Sequence, residues 1–251
     1  MRDTIINLLK KELSTYPFIH ALWLEGADAH SRADEYSDMD IWIDTDDNHI
    51  EDAFVALEDT LKTLGGIDKK VVQKHDSDEI SQRFYHLEGT SPFLLLDVCI
   101  QKHSRNITLN ENNTDEKVVI LFDKDNVLRF TNAIYATESV QTKERIREIN
   151  DAFAILRPKV EKHIKRGHFL SALHAYHQYV LEPLVALMRL QADPTKKDFY
   201  LKHIEQDLPA IDVQMLSELF TVSTLEELQQ KLDEVERILL GRIKKLQQMP
   251  Q

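Results

Sequence analysis

With 251 residues, 42% of them hydrophobic and 29% charged, the chain is long enough for two domains of ordinary size and has the composition of a soluble globular protein rather than a disordered one. The net charge of −12 belongs to the first part, which holds 26 Asp and Glu against 14 Lys and Arg through Thr137, with 17 of each from Glu138 onward. An acidic surface argues against a large nucleic-acid footprint, which needs basic residues to displace counterions, and it favours a cationic partner.

No apolar run approaches the roughly 18 residues of a membrane span, so no membrane partner is expected. The N-terminal stretch carries charges where a signal peptide has an uninterrupted hydrophobic region. A single cysteine, Cys99, excludes an intrachain disulfide framework and fits a reducing compartment. The cytoplasm is the expected location.

In chain order, residues 3 to 15 carry Ile5, Ile6, Leu8, Leu9 and Leu13 at near-helical spacing, stopped by Pro17. Strands are predicted over 18–25, 39–45, 67–74, 83–88, 93–101 and 118–122. An amphipathic helix is predicted over 48–64, closed by Gly65 and Gly66. Residues 102–116 read as a polar loop, and the segment to Thr137 as a connection. From about Ser139 the pattern turns to long helices over 142–165, 168–190, 213–219 and 225–246, with Thr224 to Glu227 forming a capping box. The expected boundary therefore lies near residue 138, separating an N-terminal domain of helices and strands (1–137) from an all-α bundle (138–251).

The chemistry concentrates in Gly26 to Asp40. There a small-residue turn is closed by Asp38 and Asp40, spaced i, i+2 at the start of the apolar run Ile41-Trp42-Ile43. A period of two directs both carboxylates to one face, where like charges repel unless a divalent cation reverses the sign of that energy. Asp97 stands inside the most apolar stretch, residues 93–100, where a lone carboxylate calls for a cationic partner. If its strand neighbours the one bearing Asp38 and Asp40, three carboxylates converge, a donor set suited to Mg²⁺ completed by phosphate oxygens. Glu88 and Glu182 are weaker candidates for a general base. His174 and His177, i, i+3 on a helix, have the spacing of metal ligands, but with no cysteine or third ligand to support zinc a packed or acceptor-site role is expected.

Gly26 to Asp40, with the wording Ala33-Asp34-Glu35-Tyr36-Ser37-Asp38-Met39-Asp40, resembles the signature of the polymerase-beta-like nucleotidyltransferases, closest to the antibiotic nucleotidyltransferases. Leu173 to His177, Leu181 to Leu184, Arg189-Leu190 and Phe199-Tyr200 to Asp207-Leu208-Pro209 are similar to the helical domain of the aminoglycoside adenylyltransferases. The resemblance implies an α+β fold with a mixed β-sheet flanked by helices, followed by an acceptor-binding or interaction domain of helices. It implies that Asp38, Asp40 and Asp97 are catalytic and bind two Mg²⁺ ions. Gly26, Ala27 and Ser37, with Asp38 and Asp40, would hold ATP or another nucleoside triphosphate. A nucleoside monophosphate would pass to a hydroxyl of a small cationic acceptor such as an aminoglycoside, with release of pyrophosphate.

Two alternatives follow from the same residues: a protein-modifying nucleotidyltransferase of toxin–antitoxin type, and a degenerate nucleotide-binding module. Ala27 stands where the family usually has Ser, and Ser31 where a second Gly is common. Oligomeric state is left open.

Overall fold

The computed structural model describes residues 1–132, 138–197 and 199–248. The chain divides into two compact units, Met1–Ile134 and Tyr135–Gln251. The boundary expected near residue 138 adjoins residues 133–137, which lie outside the described residues.

The first unit contains α1 (Arg2–Leu13), β1 (Ile19–Leu24), α2 (Gly26–Ala29), β2 (Met39–Thr45), α3 (Ile50–Lys62), β3 (Ile67–Gln73), β4 (Ile80–Leu87), β5 (Leu96–Lys102), β6 (Ile107–Asn110), β7 (Val119–Asp123) and β8 (Leu128–Thr131). Six strands form one mixed sheet in the order β3-β4-β5-β2-β1-β7, and β6 pairs with β8 in a second sheet. Within the large sheet β2 and β5 are parallel, joined through a crossover that contains α3 and the β3–β4 hairpin, whereas β1 is antiparallel to both of its neighbours.

Alternation along the central strands divides the sheet into two chemically different faces. Met39, Ile41 and Ile43 of β2 and Leu96, Val98 and Ile100 of β5 point to one side, where they are buried with Ile5, Leu9 and Leu13 of α1 and Phe54, Leu57 and Leu61 of α3. Asp40, Trp42 and Asp44 of β2 and Asp97, Cys99 and Gln101 of β5 point to the other. There Ala21, Trp23, Leu109 and Leu128 form a smaller apolar cluster with Trp42, so the two-stranded sheet is packed against part of this second face.

Three boundaries differ from the sequence reading. β5 starts at Leu96 rather than 93, because the amides of Leu94 and Leu95 close a turn on the Ser91 and Phe93 carbonyls. β4 starts at Ile80, three residues early, where polar Ser81 and Gln82 continue the ladder against β5. The polar stretch 102–116 contains β6, and the following connection contains β8; each has four residues, and their pairing joins segments about twenty residues apart. Such a non-local pair leaves little period-two signal in either segment.

The second unit contains α4 (Glu138–Lys165), α5 (Phe169–Tyr176), α6 (Glu182–Ala192), α7 (Ile204–Asp207), α8 (Ala210–Phe220) and α9 (Leu225–Gln248). A π-helical turn, His177–Leu181, joins α5 to α6. Gly167, at φ +71°, separates α4 from α5 in the left-handed conformation that favours glycine. The core runs through Phe153, Val160, Tyr176, Leu184, Met188, Leu232 and Leu239. His177 packs edge-on against Phe220. Arg157, on α4, is committed to Glu161 and to Asp233 and Glu236 of α9. No helix among the described residues is long and apolar enough to cross a membrane.

Candidate active site

Asp40 and Asp97 are register partners on the parallel pair β2 and β5, so their carboxylates project from neighbouring strands to the same face. Both are half-buried. Gln82 of β4 donates from Nε2 to Asp97 Oδ1 at 2.6 Å, and its Oε1 lies 2.9 Å from His75 Nε2, which fixes the amide with its donor toward the carboxylate. Asp38 precedes β2 and is exposed; its carbonyl accepts from Arg2 Nη2 at 2.7 Å.

Gly26 opens α2 directly above Asp40. Its φ of +59° suits a residue without a Cβ. Space imposes the same requirement independently, since a Cβ would overlap the Asp40 carboxylate and lie 2.9 Å from its Cγ. Gly26→Ala is therefore expected to cost about 2 kcal/mol of stability, because the added Cβ must displace the Asp40 carboxylate from a strained turn. Denaturant melts of wild type and variant check it; an unchanged midpoint would show that the close approach of Gly26 to Asp40 is dispensable.

The turn that follows is ordered by its own polar groups. Ser37 Oγ donates to Asp34 Oδ1 at 2.7 Å and the Tyr36 amide to the same oxygen at 3.0 Å, and these bonds hold the Asp34 carboxyl below its ordinary range. The Ala27 carbonyl accepts from the Arg32 amide at 3.0 Å. Ser31 adopts φ +54°, so the position where a second Gly is common does take the left-handed conformation, here with a side chain.

Sequence reasoning missed Glu25, Gln82 and the tryptophan pair. Glu25 follows β1 directly; its amide donates to the Asp40 carbonyl at 3.0 Å and its carboxylate accepts from Trp23 Nε1 at 3.0 Å. Burial outweighs the Trp23 hydrogen bond and pushes the Glu25 carboxyl above its usual range. Trp23 and Trp42 stack with centroids 5.7 Å apart, and the Arg105 guanidinium lies over the Trp42 ring. A glutamate abutting the glycine of the turn was the one available sequence signal. Cys99, two residues beyond Asp97, is buried; desolvation, then Asp97, Glu25 and Asp40, push its thiol up to about 12. It is a protonated, inert packing group at neutral pH.

Among the described residues no three His, Cys, Asp or Glu side chains form a ready-made metal cage. The donor chemistry nonetheless fits Mg²⁺, which is commonly held by one or two carboxylates and completes its shell with substrate phosphates and water. The missing Cβ at Gly26 lets the Asp40 carboxylate lie directly against the backbone of the turn. Glu88 is exposed at the end of β4, beside Gly66. Within the second unit, Glu182 lines a cavity of about 500 Å³ with Glu148, Tyr179, Lys197 and Tyr200.

Residues 1–240 match the sequence model of the streptomycin adenylyltransferases. The match places the chain in the class of nucleotidyltransferase enzymes. Within that class, it belongs to the streptomycin adenylyltransferase family.

Comparison with curated proteins gives no match. Among solved structures, an aminoglycoside 6-adenyltransferase from Bacillus subtilis is 17% identical, with coverage of 96% of this chain and 87% of that one and a TM-score of 0.41. A spectinomycin adenyltransferase from Enterococcus faecialis, solved with ATP and spectinomycin, is 12% identical, with coverage of 96% and 98% and a TM-score of 0.33.

Proposed function

We propose that the protein transfers the adenylyl group of ATP to a hydroxyl of a cationic small molecule of the aminoglycoside type, releases pyrophosphate, and works in the cytoplasm with Mg²⁺. The observation that carries this reading is the pairing of Asp40 with Asp97 on parallel strands beneath Gly26. Membership of the streptomycin adenylyltransferase family supports it.

In this reading Asp38, Asp40 and Asp97 hold the metal, two ions in the full site. Bound Mg²⁺ supplies charge neutralisation at the reacting phosphorus and at the leaving oxygens. Gly26 lets the Asp40 carboxylate lie against the turn, and Ala27 and Ser37 border the nucleotide with Asp38 and Asp40. Asp97, held by Gln82, accepts the proton of the attacking hydroxyl. Most of the rate gain then comes from orientation and from charges already in place. The second unit is the acceptor-binding domain: Glu182 offers negative charge to an amine or guanidinium in a cavity where Glu148 is paired with Arg145, and Tyr179 and Tyr200 offer aromatic faces to the same cations. The acidity of the first unit adds long-range attraction for a polycation.

The test is incubation of the purified protein with ATP labelled at the α-phosphorus, Mg²⁺, and streptomycin, spectinomycin and further aminoglycosides in parallel. Label on a drug, with matching pyrophosphate, is the expected result. Label appearing on protein would replace the small acceptor by a polypeptide one. ATP binding without pyrophosphate release in any arm would make the chain a non-reacting nucleotide-binding module.

A further inference from the structure

We infer that Arg2 is a positioning residue for the metal site, holding Asp38 and the turn beneath the nucleotide in one arrangement. The inference rests on the reading of Asp38 as a metal ligand. Arg2 begins α1, the helix whose Ile5, Leu9 and Leu13 are buried in the core of the first unit. Its guanidinium grips both oxygens of the Asp28 carboxylate, with Nε 3.3 Å from Oδ1 and Nη2 on Oδ2. The same group donates from Nη1 to the Ser37 carbonyl and from Nη2 to the Asp38 carbonyl, each at 2.7 Å. Arg2 and Asp28 side chains are only 20% and 11% exposed, so water competes weakly for these bonds.

The arrangement matters because of what lies between the two gripped points. Asp28 belongs to α2, which begins with the glycine over Asp40, and Asp38 stands one residue before β2. The chain between them is largely exposed and includes the left-handed Ser31. Asp38 is itself exposed and outside the strand ladder, so the regular structure of β2 does not fix its backbone. Arg2 ties both ends of this excursion to a helix anchored in the core. A planar fork of five N–H groups can serve a carboxylate and two carbonyls together, whereas a lysine ammonium is a single point of donation.

The experiment measures free Mn²⁺ by electron paramagnetic resonance while it is titrated into protein and a non-hydrolysable ATP analogue. Wild type, Arg2→Gln, Arg2→Lys and Asp38→Asn are compared, with thermal melts alongside. The expected result is Mn²⁺ binding weakened about tenfold in Arg2→Gln and by a similar factor in Arg2→Lys, the loss typical of removing a group that orients a ligand. In transfer assays the same variants raise the Mg²⁺ concentration for half-maximal rate and leave KM for the acceptor unchanged. Should Arg2→Gln fail to fold, Arg2→Lys, which keeps the charge beside Asp28, carries the measurement.

Mn²⁺ affinity in both folded Arg2 variants equal to wild type, with Asp38→Asn impaired, overturns the inference and leaves the metal reading standing. Unchanged Mn²⁺ affinity in Asp38→Asn overturns the metal reading and the inference with it.

Discussion

Asp40→Asn is expected to lower kcat/KM for adenylyl transfer about a thousandfold, the scale of removing a charged group that acts on the transition state. The fold should not suffer. Asp40 and Asp97 are direct neighbours on one face of the sheet, and like charges in that relation destabilise a strand pair. Replacing one with a neutral isostere is expected to leave the denaturant midpoint unchanged or raise stability by up to about 1 kcal/mol. Activity thus falls with no fall in stability, which a merely structural aspartate would not do. Steady-state rates at saturating Mg²⁺ and urea melts of the same sample measure both. Transfer within tenfold of wild type would remove Asp40 from the reaction. A fall in stability parallel to the fall in rate would make it a structural residue.

Arg189→Met is expected to destabilise the second unit by about 2–4 kcal/mol, the scale of leaving two buried carbonyls without their donors. Arg189 is only 1% exposed. Its Nη1 donates to Asp207 Oδ2 at 2.9 Å, its Nε to the Tyr200 carbonyl at 2.6 Å and its Nη2 to the Lys202 carbonyl. Methionine fills much of the volume and supplies none of these donors, leaving two carbonyls to find water in a packed region and Asp207 with Lys196, 2.6 Å from its Oδ1, as its remaining cation. Tyr200 and His203 both have positive φ, at 47° and 58°, so the turn that Arg189 holds is strained and needs those bonds to persist.

The same network sets a pH signature. Burial raises the Asp207 carboxyl, but Lys196 and Arg189 outweigh it and hold it below its ordinary value. A carboxyl depressed in the folded state contributes stability that is fully present above its unfolded value, about 4. That contribution is lost as pH falls through the folded value. Wild type should therefore lose stability below about pH 4 more steeply than Arg189→Met. Calorimetric melts across that range check it; an unchanged midpoint at neutral pH would show that the network is redundant.

Much of this was legible beforehand, for identifiable reasons. The helices α1, α3, α4 and α9 announced themselves because each needs one continuous apolar stripe over several turns. β2 and β5 were visible as apolar runs because the sheet is covered on both sides there, and their polar interruptions, Asp40 and Asp97, stood out for that reason. Gly26 and the aspartates closing its turn belong to one continuous stretch of fifteen residues, Gly26 to Asp40, so their chemistry could be read as a single motif. By contrast, Gln82 sits fifteen residues from the carboxylate it holds, and Arg2 thirty-six from the Asp38 carbonyl it binds. Nothing in a polar side chain's neighbours states which distant acceptor it will meet.

From the residues alone came the period of two that was read as setting Asp38 and Asp40 on one face, the lone charge of Asp97 in an apolar strand, the long helical stripes of the second half and the acidity of the first. The fold decided which strands adjoin. Only the parallel pairing of β2 with β5 sets Asp40 beside Asp97, only the positive φ of Gly26 brings a bare backbone over the Asp40 carboxylate, and only the anchoring of α1 delivers Arg2 to the turn. Alternation is a property of each residue's own backbone geometry, whereas register, close approach and long-range hydrogen bonds depend on which segments the buried core forces together.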